Sequence, residues 1–519
     1  MNGTGTLREL FRRARRHDRG ITYSARSGES DWTSYAELGS RMDLLAERLK
    51  QEQLRPNFIG AVWMAPTPEC LAVIGAVILA GGIPLPIHSY MPGQDMLRLI
   101  RKFEPEAVFV SEEKLPILTE WNMQGEELAF CLYAGMASGP VAGIGAAQRP
   151  VRRYTPPEAA RMIFLSSGST GEPKGIMLSD HNMLSNVDAI LDYTTLCDED
   201  IVLLSKSLGY CSTIVGEWFA AMASGANLVL SGGFVHPFEM IQCVRMNKVT
   251  FLCTVPSAIL PLIHSAKWAE EDLLTLRQML IVGGPMPDVM LLRLADRLPH
   301  VRLTPSYGLT EASPRVSYLP YAQLRTKPQS AGIPINGVEL TIVQDGREAA
   351  TGESGEVVVR GPNVMIGYYD DPDRTREILG PLGLHTRDTG YLDEDGYLHL
   401  TGRTDNALLV GGHTVYPEAV ESVLLSLPGV ADAAVSAAED LQWGHRLIAV
   451  VVSEASTEPV SNSELHAWCV KRLSSALRPR EFRFVTALPR TASGKLDRQA
   501  LKSMVKEEEH VHPAGRSIL

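Results

Sequence analysis

Met162-Ile163-Phe164-Leu165-Ser166-Ser167-Gly168-Ser169-Thr170-Gly171-Glu172-Pro173-Lys174-Gly175 passes from an apolar run into a loop of small and hydroxyl-bearing residues. MIFL reads as a short buried strand. Residues 166–175 hold three glycines, three serines, one threonine and one lysine. That mixture suits a loop that wraps phosphate oxygens: glycine lets backbone N–H groups approach, hydroxyls donate hydrogen bonds, and lysine neutralises charge. It is not a Walker A loop, which needs Ser or Thr after its lysine, whereas Gly175 follows Lys174. The same composition also suits a flexible Gly/Ser linker.

Around this stretch, apolar strands alternate with helical segments from Met162 to Leu252: MIFLSS, NMLSNVDAIL, GANLVLSG and VTFLCTVP. This is the pattern of a mostly parallel sheet covered by helices. Upstream, Ser34-x-x-Glu37 reads as a capping box, with Leu38, Met42, Leu45 and Leu49 following at helical spacing. Phe58–Met64 and Ala107–Ser111 read as buried strands, and residues 132–158 as an irregular surface connection. Downstream, residues 338–360 and 391–402 turn β-rich. After Arg403 the pattern changes again. Pro417 opens a helix, followed by strand RLIAVVVS, helix SELHAWCVKRLSSAL and strand EFRFV. The expected architecture is a large α/β N-terminal domain with mixed sheets, helices and a β-rich subdomain (1–403), then a small mobile α+β domain (404–505) and a flexible tail (506–519).

The chain has 519 residues, of which 45% are hydrophobic and 21% charged, excluding disordered, collagenous and disulfide-scaffold classes. Lys plus Arg is 49 and Asp plus Glu is 60, so the formal charge is −11 and nucleic acid is not an expected partner. Seven cysteines without a CxxC pair fit a reducing cytoplasm rather than a zinc or disulfide framework. The Arg-rich N-terminus has no apolar core of a secretory signal. Cys70–Ile87 is apolar, yet Gly81-Gly82, Pro84 and Pro86 make it a buried helix running into a strand rather than a membrane span.

Further segments match the loop in order and distance: Gly283-Gly284-Pro285, Tyr307-Gly308-Leu309-Thr310-Glu311, HTRDTGYLDEDGYL, TGRTD, Gly411-Gly412 and PRTASGKLDR. With them the chain resembles the acyl-adenylate-forming superfamily, which includes acyl-CoA synthetases, nonribosomal peptide adenylation domains and firefly luciferase. The resemblance runs from about Thr33 to Leu501. It implies that Ser166, Ser167, Gly168, Ser169, Thr170, Gly171 and Lys174 hold the ATP β- and γ-phosphates. Gly283, Gly284 and Pro285 would border adenine and the acyl pocket, although the family usually has a small residue at the last. Tyr307 and Gly308 would pack at adenine, Thr310 would bond the α-phosphate and Glu311 would hold Mg²⁺. Asp388 and Arg403 would take the ribose hydroxyls. Asp405 would be the interdomain hinge, Gly411 and Gly412 the tunnel for a pantetheine thiol, and Lys495 the cation that reaches the reacting carboxylate. Val410 stands where the family often has Ser or Lys.

The implied reaction is attack of a carboxylate on the ATP α-phosphorus, then transfer of the acyl group to a thiol. Amino-acid-activating relatives carry an aspartate for the substrate ammonium where Ser212 stands, and no acid lies between Lys206 and Gly216. An α-amino acid is therefore not expected, because a buried ammonium needs a counter-charge. The expected acyl pocket comprises Tyr210, Ser212, Val255, Pro256, Gly283 and Ser306. The acceptor is CoA or, alternatively, the phosphopantetheine of a carrier protein. A non-catalytic nucleotide binder is disfavoured, since Lys174, Glu311, Asp388 and Lys495 are all present.

Overall fold

The computed structural model describes the chain except residues 1–4, 25–29, 53, 124–130, 135–152, 167–172, 232–235, 264, 266–267, 411–412, 441–443, 455–459, 492–495 and 512–519. Ser34 caps the helix Tyr35–Gln51 with its hydroxyl while Glu37 reaches back to the Ser34 N–H, the capping box read from the sequence. Leu38, Met42, Leu45 and Leu49 are buried, and this helix packs on the apolar helix Pro68–Leu79. That second helix runs into the strand Ile83–Pro86, as expected for a buried element. Ile83–Pro86, Ile59–Trp63, Ala107–Val110 and Cys131–Ala134 form a parallel sheet in that order. Part of the expected irregular connection is thus strand. Most of its remainder, residues 135–152, lies outside the described residues.

A larger sheet carries nine described strands. Its centre runs Arg302–Tyr307, Gln278–Ile281, Phe251–Thr254, Ile201–Leu204, Asn227–Leu230 and Gly20–Ser24, all parallel, with antiparallel strands at both edges. The strands read as buried apolar runs because helices cover both faces. The strand holding MIFL is not part of this sheet. Ala160–Ser166 pairs antiparallel with Lys174–Ser179, which pairs in turn with Gly367–Tyr368. The strands on either side of the glycine- and serine-rich segment are therefore antiparallel partners of each other. Four apolar residues suit either sheet, and it is the apolar run IMLS beyond the loop that captures them.

The β-rich stretch folds as Glu339–Gln344, Gly355–Arg360, Gly383–Leu392 and Leu398–Arg403, antiparallel throughout. Beyond it, a small sheet is built from Val430–Asp440, Gly444–Ser453 and Glu481–Phe484. Alternate residues of its strands face opposite cores. Val435, Leu447, Ala449 and Val451 meet the helices Pro417–Leu425 and Asn462–Arg472, while Ala434, Ile448 and Val450 meet the helix Arg498–Val511. The strand Val430–Asp440 carries no sequence signal, because alanine-rich VADAAVSAAED has no strong strand pattern of its own; pairing decides it. The last helix extends past residue 505, where the sequence reading ends the small unit.

Candidate active site

In such sheets the usual place for a ligand is the crevice outside the carboxyl ends of the parallel strands. The strand Arg302–Tyr307 delivers Ser306 and Tyr307 there, then bends sharply through Gly308. A Cβ on Gly308 would lie 1.9 Å from the Pro314 carbonyl oxygen, so only glycine fits. The turn Thr310–Ala312 follows and ends at Ser313, in the left-handed region at φ 60°. Just past the adjacent strand Gln278–Ile281, Gly283 takes φ 84° beside Val255, which follows the next strand, Phe251–Thr254. Gly284 has open space where a side chain would be. Pro285 follows directly, and Pro256 begins the helix Pro256–Ile263.

Asp388 and Arg403 are direct cross-strand neighbours in the antiparallel pair Gly383–Leu392 and Leu398–Arg403. Arg403 Nη1 donates to Asp388 Oδ1 at 2.7 Å, and the Tyr307 hydroxyl donates to Asp388 Oδ2 at 2.5 Å. Burial pushes the Asp388 carboxyl up, against the pull of Arg403 and the tyrosine hydroxyl. Burial and the neighbouring Asp388 charge push the Tyr307 phenol well above its ordinary value, so it remains a donor. Arg403 also approaches Asp405 at 3.6 Å, and Asp405 bonds Arg387 at 3.2 Å. Arg387 adopts a left-handed backbone at φ 62° and binds Glu377 at 2.5 Å.

A second group sits alongside. The Tyr368 hydroxyl donates to Glu311 Oε1 at 3.0 Å, and Lys174 Nζ lies 5.5 Å over the Tyr368 ring. The pairing Tyr368↔Ile176 is what draws this tyrosine to the lysine's strand. Burial, then Arg374, pushes Lys174 below the usual lysine range, while Glu311 opposes the shift. Thr310 precedes Glu311 on the same turn. One edge of the crevice therefore presents a cation, a carboxylate and a hydroxyl, and the other an aspartate preset by two donors. Such a surface can hold a polyanion by its charge and a diol by the aspartate.

At the far wall, Tyr210 precedes the short helix Cys211–Thr213, which carries Ser212 and leads into a π-helical turn, Ile214–Phe219. The Tyr210 hydroxyl pairs with that of Tyr90 at 2.9 Å. His88 fills the space over Gly209, 2.5 Å from where its Cβ would stand, and shares a hydrogen bond with Ser207 at 2.9 Å. Ser306 turns its hydroxyl to the Ser317 carbonyl at 2.8 Å, so it lines the wall as a spent donor. Ser167, Gly168, Ser169, Thr170, Gly171, Gly411, Gly412 and Lys495 lie outside the described residues. Tyr368, Arg387 and His88 escaped the sequence reading. The doubled aromatic in Gly367-Tyr368-Tyr369-Asp370 is the one local signal that marks any of them.

The family model described as AMP-binding enzyme matches residues 10–369, and its companion, the AMP-binding enzyme C-terminal domain, matches 419–495. Feruloyl-CoA synthase from an Amycolatopsis species is 29% identical over 470 residues, covering 89% of this chain and 92% of its own. A fatty acid–[acyl-carrier-protein] ligase from Streptomyces coeruleorubidus is 28% identical, covering 90% and 91%. Among solved structures, o-succinylbenzoate CoA synthetase from Bacillus subtilis, in complex with its acyl-adenylate intermediate, superposes with a TM-score of 0.80 at 26% identity, covering 95% of this chain and 97% of its own.

Proposed function

The chain belongs to the family of AMP-binding enzymes, and on that footing we propose that it is an ATP-dependent acid–thiol ligase. It converts a carboxylic acid to an acyl-adenylate with release of pyrophosphate, then transfers the acyl group to the thiol of CoA. The observation that carries this reading is the Tyr307–Asp388–Arg403 set standing beside Lys174, Tyr368 and Glu311.

A carboxylate is a weak electrophile, and bringing it to the α-phosphate of ATP sets two anions against each other. Asp388 accepts from the ribose hydroxyls, with Arg403 and Tyr307 fixing its orientation. Tyr307 closes on the adenine side with Gly283, Gly284 and Pro285. Thr310 donates to the α-phosphate. Lys174 and the loop Ser166–Gly171 hold the outer phosphates. Lys495 neutralises charge between carboxylate and phosphorus in a site sheltered from water, where such a charge is worth most. The acyl-adenylate is a mixed anhydride with a good leaving group, which the thiol displaces.

Among the described residues, no group of three or more His, Cys, Asp or Glu side chains is able to enclose a metal. The Glu311 carboxylate, close enough to Lys174 to feel its charge, suits an ion held by one carboxylate and shared with substrate phosphates, the habit of Mg²⁺. Glu311 would hold it, and when bound it supplies positive charge that offsets the charge building on the phosphates.

The two half-reactions would use one crevice in turn, with residues 1–403 as the fixed part, 404–505 as the moving part, Asp405 as hinge, and Gly411 and Gly412 as the thiol passage. An α-amino acid is not the proposed substrate: no acid lies between Lys206 and Gly216, and Glu217, the next acid along the chain, is paired with Lys206. The cytoplasm is the proposed compartment, with Cys70, Cys211, Cys243, Cys253 and Cys469 all buried as free thiols. No helix of the described residues is long and apolar enough to cross a membrane. The resemblance to a carrier-protein ligase favours a second reading, in which the acceptor is the phosphopantetheine of a carrier protein.

The test is a panel of carboxylic acids with ATP and Mg²⁺, trapped by hydroxylamine, then CoA or a pantetheinylated carrier with mass detection. Hydroxamate formation followed by acylated CoA is the expected result; absence of hydroxamate from every acid refutes the ligase reading.

A further inference from the structure

Three charged side chains lie fully buried behind the far wall of the crevice, and the adenylation chemistry uses none of them. Lys206, Glu217 and Arg315 are 4%, 0% and 2% exposed. Lys206 Nζ donates to Glu217 and to the Cys253 carbonyl, the latter at 2.9 Å. Arg315 Nη2 meets Cys253 Sγ at 3.3 Å and presses on Gly216, where a Cβ would stand only 3.0 Å away. Tyr193, stacked on Tyr318 at 4.2 Å, sits beside Arg315 and Ser306.

The topology places this group at the acyl end. Lys206 follows the strand Ile201–Leu204, and Cys253 and Ser306 are the penultimate residues of Phe251–Thr254 and Arg302–Tyr307. These carboxyl ends bear the wall that also holds Val255 and Gly283. Glu217 is delivered by the π-helical turn Ile214–Phe219, which continues from Tyr210 and Ser212, and such turns recur at functional sites.

Two observations set the group apart from a structural ion pair. The first is charge: among the described residues two cations face one carboxylate, so one positive charge is buried without a counter-charge, which a folded interior does not hold cheaply. The second is orphaned polar atoms. Arg315 Nε and Glu217 Oε2 are buried with no partner within hydrogen-bond distance. Unsatisfied buried groups are rare, and two on the charged trio itself mark a place that something else completes.

We propose that Arg315, supported by Lys206, Glu217 and Tyr193, determines specificity at the floor of the acyl pocket and selects dicarboxylic acids. One carboxylate meets ATP while the distal one supplies the missing negative charge. This rests on the acid-ligase reading and narrows its substrate class.

The test compares length-matched acids, such as hexanoate with adipate and octanoate with suberate, by pyrophosphate release and hydroxamate trapping. The expected result for the wild type is kcat/KM at least tenfold higher for the diacid of the best pair. In Arg315→Met that diacid-to-monoacid ratio falls at least tenfold, chiefly through KM of the diacid. Arg315→Lys, which keeps the charge, retains most of the ratio and serves where the methionine variant does not fold. Equal turnover of both acids, or preference for the monoacid, in the wild type overturns the proposal while leaving the ligase reading intact. An unchanged ratio in Arg315→Met overturns it as well. Failure of every acid to form hydroxamate removes the ligase reading, and this inference with it.

Discussion

Asp388 shows how neighbours would ready a single side chain for the ribose proposed to bind it. Tyr307 and Arg403 each take one carboxylate oxygen, so the group is oriented at no cost to ligand binding. Asp388→Ala is expected to weaken ATP about 10- to 100-fold, as the loss of charge-assisted hydrogen bonds would; titration calorimetry giving the wild-type affinity refutes the ribose assignment. His88 is a second readable case. Burial lowers its pKa from 6.5 to about 4, so the folded protein refuses a proton that the unfolded chain accepts. Stability should therefore be flat above pH 6.5 and fall as pH drops towards 4, by up to about 3 kcal/mol from this group. His88→Asn should flatten that part of the pH profile in urea denaturation; an unaltered slope would rule the histidine out. Tyr307, Glu311, Asp388 and Arg403 were legible because each sits in a contiguous motif. His88 was not, because its meaning depends on Gly209, more than a hundred residues away, whose missing side chain leaves the space it fills.

At the level of elements, the central parallel strands and the capped helix at Tyr35 followed from periodicity and capping chemistry. The partner of MIFL did not. A short apolar run states that it is buried, not which sheet buries it, and here the answer lay on the other side of the glycine-rich loop. Val430–Asp440 failed for the opposite reason: its alanines express little preference until Gly444–Ser453 lies beside them. Turns are the elements with least freedom. Gly308→Ala places a methyl 1.9 Å from the Pro314 oxygen, so the turn bearing Thr310 and Glu311 must shift. The expected outcome is a loss of roughly 2–4 kcal/mol in the large domain and near-complete loss of adenylation. A variant that melts with the wild type and still makes acyl-adenylate would show that the turn tolerates the side chain.

For the whole molecule, the proposed chemistry depends on bringing Lys495 from the small unit to a crevice built by the large one. Lys495→Ala should abolish acid-dependent pyrophosphate release, by at least about 100-fold, as removal of a cation aimed at the developing charge does. ATP affinity and circular dichroism should be nearly unchanged, and normal adenylation would overturn the assignment. The sequence named this lysine, but whether it arrives depends on how two units swing, which no local pattern encodes. One contact bears on that journey. Arg498, three residues beyond Lys495, grips Glu418 at 3.0 Å and Glu421 at 2.7 Å, binding the start of the last helix to the first helix of the same unit. Whatever turns the proposed hinge would therefore carry both ends of that bracket together. In the proposed swing, the helix start at Arg498 would travel like the tip of a lever, its arc set by the dimensions of the unit to which it is braced.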